Sequence, residues 1–172
     1  MRPLQLLSVT ASSFRIPGTD PWHARPSDPA VTVMTDFRER TSITVPDQDP
    51  IDTALEHMKH TGVRCAFAVD ADNQAVIGMI TAYDISGDKP LRLMRAINAR
   101  RNDILVRDLL HPIKDWRVLH IRDLERANVA DVERVFDESR LTHIPVIEQG
   151  PRGDTKLRGL LSSAKVKRLL AP

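Results

Sequence analysis

The stretch Gly78-Met79-Ile80-Thr81-Ala82-Tyr83-Asp84-Ile85 reads as the end of a buried strand running into the first turn of a helix. Thr81-x-x-Asp84 has the spacing of a capping box, in which a hydroxyl and a carboxylate satisfy the free N–H groups of a helix start. Far downstream stands Gly159-Leu160-Leu161-Ser162-Ser163-Ala164-Lys165-Val166. The order is the same (glycine, two apolar residues, a hydroxyl, two residues, a polar residue, an apolar one), except that Lys165 stands where Asp84 stood. The pair points to an internal repeat and to a candidate ligand site.

Working outward, the repeat holds. Ala54, Met58 and Val69 recur as Val132, Phe136 and Ile147, each 78 positions on. Gly78 recurs as Gly159, 81 positions on, so three residues were added in the turn before the last strand. A constant offset over a strand–helix–strand block indicates duplication. In the first copy, Ser42 to Val45 reads as a strand stopped by Pro46. Asp49-Pro50 reads as a helix start with Asp49 as cap and Pro50 in the first helical position. Ile51, Ala54, Leu55 and Met58 form one apolar face, and Gly62 ends the helix. Val63 to Val69 and Ala75 to Ile80 are strands, and a short helix runs from Thr81 to near Gly87. In the second copy, Trp116 to Ile121 is strand-like, Val129, Val132, Val135 and Phe136 line a helix near 129–140, and Thr142 to Ile147 is a strand. Pro145 within that strand predicts a bulge or an edge. Leu157 to Leu161 and a last helix through Leu170 complete it. The lead-in pieces, Val31 to Thr35 and Ile104 to Pro112, match each other. The chain is thus α+β: two units that each read strand, helix, strand, strand, helix, with an apolar sheet face that packing sheet to sheet would bury.

The division that follows is a proline-rich arm at 1–29, a first unit at 30–88, a connecting helix at 89–103 and a second unit at 104–172. In the arm, Leu4, Leu6, Leu7, Phe14, Ile16 and Trp22 can pin it to the body or to a second subunit; a partly disordered tail is the alternative. In the connector, Leu91, Met94 and Ile97 give one apolar edge. Hydrophobic residues are 41% and aromatics 4%, so the core is aliphatic. The net charge of +2 gives no reason to expect nucleic acid as the main partner. One cysteine, Cys65, excludes an internal disulfide and fits a reducing compartment. No apolar run is long enough to span a bilayer, and the expected location is the cytoplasm.

Two units of this kind, each ending in glycine, two apolar residues, a hydroxyl and a polar residue three further on, resemble a pair of CBS domains, the tandem known as a Bateman module. The resemblance covers residues 30 to 170 and rests on the two glycine motifs, the Asp49-Pro50 helix start and His143-Ile144-Pro145-Val146. It implies two β-α-β-β-α units packed with pseudo-twofold symmetry, a stand-alone regulatory protein and not an enzyme, a homodimer, an adenine nucleotide (AMP, ADP or ATP, or S-adenosylmethionine) as ligand, and a regulated partner protein.

The chemistry of the motif suits such a ligand. A helix start with free N–H groups attracts phosphate, Thr81 adds a hydroxyl, and Asp84 accepts from ribose hydroxyls. A base can lie near Thr44, Val45, Arg64, Cys65 and Ala66, with Arg64 also balancing phosphate charge. The equivalent set in the second unit is Thr142, His143, Ile144, Ser162 and Lys165. Lys165 cannot accept from ribose, so this second site is expected to be altered or empty. Competing readings are a ligand-free interaction scaffold and, from Arg92, Arg95, Arg100 and Arg101 with Lys165, Lys167 and Arg168, a nucleic-acid binder. Glu56, His57 and His60 share one helical turn but lack a fourth ligand, so no metal site and no catalytic cofactor are expected.

Overall fold

The computed structural model describes residue 13 and residues 21–171 other than 73 and 152. Leu4, Leu6, Leu7, Phe14 and Ile16 lie outside the described residues. The described strands and α-helices are, in order, β1 (Thr35–Asp36), β2 (Thr44–Pro46), α1 (Ile51–Thr61), β3 (Cys65–Val69), β4 (Val76–Thr81), α2 (Ala82–Ser86), α3 (Lys89–Ile97), α4 (Val106–Leu109), β5 (His111–Pro112), β6 (Leu119–His120), α5 (Ile121–Leu124), α6 (Val129–Ser139), β7 (His143–Gln149), β8 (Thr155–Ser162) and α7 (Ser163–Leu170).

They build two four-stranded sheets of order β2-β3-β4-β5 and β1-β8-β7-β6. The first strand of the chain therefore pairs with the last, and β5 completes the sheet of the first unit. The cores follow the same exchange. Ile104, Val106 and Leu109 are buried with Val45, Ile51, Ala66 and Ile80. Ala24, Ala30, Val33 and Met34 are buried with Val129, Phe136, Ile144 and Leu161. A third cluster, Cys65, Phe67 and Met79 against Phe37, Trp116, Leu157 and Leu160, holds the two sheets face to face.

The repeat is visible in the pairing. Cys65 lies opposite Thr81 as His143 lies opposite Ser162, and the register breaks after Ala68 in one hairpin and after Val146 in the other. The α1 start corrects the sequence reading: Pro50 is the cap residue, and no side chain caps the helix. Ile51 N–H instead donates to Ile104 O at 3.1 Å. In the second unit Val129 N–H donates to Asp28 O at 2.9 Å, while Asn128 and Asp131 add a capping box of that unit's own; the first N–H of each long helix is thus met from the other half of the chain. Gly62 ends α1 at φ +70°, as its lack of a Cβ allows.

Three further expectations are corrected, and of the bulge or edge expected at Pro145 the structure has the bulge. Ala30–Val33 forms a 3-10 turn and not a strand, because Ala30 N–H is drawn to Ala127 O at 3.0 Å. Of 116–121, only Leu119–His120 is strand. Pro145 lies in a central strand, with the bulge just beyond it. Its counterpart Phe67 donates its N–H to Ile43 O at 2.9 Å; proline cannot, and pairing between β6 and β7 begins only at Val146. Finally, Leu91 and Ile97 are exposed, while Leu93 and Met94 pack on the core. Trp22 is also exposed; Ala24 anchors its segment, donating to Leu169 O at 2.8 Å.

The glycine of each motif is explained by the strand exchange. A Cβ on Gly78 would lie 2.7 Å from His111 O in β5, and one on Gly159 would lie 2.6 Å from Thr35 O in β1. Both clashes are with backbone, which cannot rotate away. Gly78→Ala and Gly159→Ala should each lose about 1–3 kcal/mol, read as a lower urea midpoint; an unchanged midpoint in both would show that the exchanged strands yield freely.

Candidate functional site: two clefts between the units

Because the units stack face to face, the start of each final helix faces the other unit. Two clefts result. The first, about 340 Å³, sets Ser162 and Lys165 against Ser42, Ile43, Arg64 and Cys65. The second, about 220 Å³, sets Thr81 and Asp84 against Arg117, Arg140, Thr142 and His143. They are called here the lysine cleft and the aspartate cleft.

This grouping differs from the sequence reading, which placed Arg64 and Cys65 with Thr81 and Asp84, and Thr142 and His143 with Ser162 and Lys165. The structure exchanges the two halves of each set. Val45, Ala66 and Ile144 lie in the cores, and Thr44 is exposed and outside both clefts. His143 lines both clefts.

At the aspartate cleft the capping box is complete. Thr81 N–H and Oγ1 donate to Asp84 Oδ2 at 3.0 and 2.6 Å, and Asp84 N–H donates back to Thr81 Oγ1 at 3.1 Å. The other carboxylate oxygen, Oδ1, accepts from Lys89 and lies 3.0 Å from His111 Nε2. Burial alone would raise the Asp84 pKa. Hydrogen bonds from His111, Lys89 and Thr81 outweigh it and hold the carboxyl well below the usual range. Lys89, His111, Arg117 and Arg140 were missed in the sequence. Arg140 could have been found, since it stands 78 positions after Gly62, which lines the other cleft. His111 carried no local signal, because only strand exchange brings it to Asp84.

The lysine cleft has another chemistry. Ser162 caps no helical N–H with its side chain. Lys165 Nζ reaches Met34 O at 3.3 Å and Thr35 Oγ1 at 3.5 Å. Arg64 donates to Tyr83 Oη at 3.0 Å. Cys65 is buried, and desolvation followed by the Asp84 charge pushes its thiol up to about 12, so it stays protonated and unreactive. Glu56, His57 and His60 are all exposed, and Glu56 pairs with Lys59 at 2.7 Å. Among the described residues no group of three His, Cys, Asp or Glu could hold a metal ion, and no helix is long and apolar enough to cross a membrane.

Comparison with known proteins agrees with this architecture. Residues 35–87 match the CBS domain family. The chain has the fold of a CBS pair. Its solved relatives include the CBS-pair protein CBSX2 from Arabidopsis thaliana, 23% identical, with a TM-score of 0.51 over 83% of this chain and 93% of that one. A structure of CBSX2 in complex with AMP is 22% identical, with a TM-score of 0.50 over 83% and 94%. An uncharacterised conserved protein from Pyrococcus horikoshii is 18% identical, with a TM-score of 0.55 over 84% and 92%. Among curated proteins none matches the sequence.

His143 makes the site sensitive to pH. It is 4% exposed. Burial lowers its pKa to about 4, against the attraction of Asp84 and with the repulsion of Arg64. A folded pKa below the unfolded value means that the unfolded chain binds the extra proton first. Stability is then full above pH ~6.5 and falls as pH drops toward 4, by roughly 3 kcal/mol. Asp84, depressed in the same sense as other paired carboxylates, acts at lower pH, below its ordinary value. Urea midpoints from pH 7 to 4 should show the loss, and His143→Gln should flatten it; an equal slope in the variant would assign the loss to other groups.

Proposed function

We propose that this chain is a regulatory module that binds an adenine nucleotide in the aspartate cleft and alters how it meets a partner protein. The observation that carries the reading is the set of groups turned toward one another there: Thr81 and Asp84 at a helix start, facing Arg117, Arg140 and Thr142 from the other unit. A ribose diol can replace Lys89 and His111 on Asp84 Oδ1, and the two guanidinium groups can meet phosphate. The CBSX2 complex with AMP supports the ligand class. Asp84 also gives the binding a readout. Lys89 is the first residue of α3, the helix joining the units, and a ligand that takes Asp84 releases it. A ligand shifts a conformation only by binding its forms unequally, and this ion pair is present in one form and absent in the other. We take the partner to be a protein and the module itself to be a homodimer, with exposed Leu91 and Ile97 on α3 available for contact.

Two observations favour a second reading, a scaffold without ligand. Both Asp84 oxygens already have partners in the chain, and about 220 Å³ is below the roughly 300–1,000 Å³ of most small-molecule sites. Calorimetry separates the two. AMP, ADP, ATP or S-adenosylmethionine should bind, and Asp84→Asn should weaken binding about tenfold or more while the far-ultraviolet circular dichroism stays unchanged. Absence of heat and of thermal shift with all four at millimolar concentration selects the scaffold.

A further inference from the structure

A groove of about 550 Å³ runs along the lead-in segment of the second unit. Val31, Met34 and Ile121 give it an apolar floor, and the exposed residues Glu39, Arg40 and Glu125 stand on its rim. Asp36 and Arg158, also on its wall, pair with each other. The repeat supplies a comparison. Asp36 pairs with Gly159 as Pro112 pairs with Gly78, so Thr32, Met34, Asp36 and Glu39 correspond to Asp108, Leu110, Pro112 and Asp115. Those four line a groove of about 490 Å³ in the first unit. Its other wall is one face of α3, formed by Lys89, Arg92, Leu93 and Ala96. Among the described residues the second groove has no such wall beyond Pro21 and two residues of α5, Ile121 and Glu125.

Pro21 is where the continuous described chain begins. Directly before it stands Phe14-Arg15-Ile16-Pro17-Gly18-Thr19-Asp20. Phe14, Arg15 and Ile16 alternate apolar, cationic, apolar, the order of an extended segment that buries one face. Extended, the stretch from Phe14 to Pro21 spans at most about 25 Å, enough to follow a groove that Pro21 itself lines. We propose that Phe14 to Asp20 lie in this groove of their own chain, with Phe14 and Ile16 on Val31, Met34 and Ile121, Arg15 turned out to Glu39 and Glu125, and Asp20 beside Arg40. The segment takes the place that α3 holds in the first unit. There a helix brings apolar side chains and two cations to the groove that holds Asp115; here the arm brings apolar side chains and Arg15 to the groove that holds Glu39. Apolar contact supplies the attachment and the charges set the register, since exposed ion pairs contribute little. The arm is then a strap on β1, the strand that pairs with β8 in the second sheet. This inference does not rest on the nucleotide reading of the aspartate cleft.

The test is a spin-label distance in the full chain, between nitroxides at Ser13→Cys and Arg122→Cys, both at exposed positions. Cys65 is buried and protonated and takes no label. The distance distribution should be narrow. Phe14→Asp with Ile16→Asp should broaden it and lower the melting midpoint by about 4 °C or more. Glu39→Lys with Glu125→Lys should displace or broaden it, and adding Arg15→Glu to that pair should restore it. Far-ultraviolet circular dichroism checks that each variant keeps its fold. A broad distribution in the parent makes the arm a free tail. A narrow one between copies that each carry a single label places the arm on a second copy. Either result, or a distribution that either set of substitutions leaves unchanged, would overturn the proposal.

Discussion

Each half of this chain is completed by backbone hydrogen bonds from the other. β1 closes the sheet of the second unit and β5 closes that of the first. Ile104 O and Asp28 O receive the first N–H groups of α1 and α6. Buried backbone groups must be paired, so neither half alone keeps its sheet edge or the first N–H of its long helix satisfied. The close approach of the exchanged strands also dictates glycine at 78 and 159. The most recognisable residue of the repeated motif is thus fixed by packing, and only the hydroxyl and the polar residue after it are available to chemistry.

The same exchange builds the clefts. Asp84 is met by His111 from the second unit's lead-in strand. Lys165 is met by Met34 and Thr35 from the first unit's. The third residue of each terminal helix therefore faces a segment that is remote in sequence. This is why the grouping of the two sites was not legible even though the polar residues at each helix start were. Residues within a unit share an offset, but no periodicity states which face of one unit will meet which edge of the other.

What was legible depended on local physics. The Thr81–Asp84 capping box, the left-handed Gly62 and the apolar face of α6 are set within a few residues, and each stands as read. The duplication was legible through its offset, down to the extra residues in the β7–β8 turn. The lead-in strands were not, since two-residue strands carry no alternation. The Val31-Thr32-Val33 run shows the other limit. Its β-branched residues favour extended backbone, yet burial of Val33 and the bond from Ala30 to Ala127 hold it in a 3-10 turn. Pro145 was legible as a constraint, and of the bulge or edge it allowed the strand has the bulge, one step on. It does not push its strand to an edge; it shortens the neighbour whose carbonyl it cannot satisfy.

A repeat that is conserved as architecture has diverged at one position into opposite electrostatics. A carboxylate at the third residue of α2 is stabilised by the helix dipole and by hydrogen bonds from Thr81 and Lys89; an ammonium at the same place on α7 meets the dipole unfavourably, by roughly 0.3–1 kcal/mol at an exposed site. The two clefts are nevertheless in contact. Arg64 of the lysine cleft donates to Tyr83 of the aspartate cleft at 3.0 Å. The Tyr83 ring lies 6.4 Å from that of His143, which lines both clefts. Adjacency is not coupling, which is a free energy between two occupied sites and must be reciprocal. It is, however, the arrangement coupling requires. A ligand that moves Tyr83 in the aspartate cleft also moves the hydroxyl that holds Arg64, and one that moves His143 shifts a wall common to both clefts.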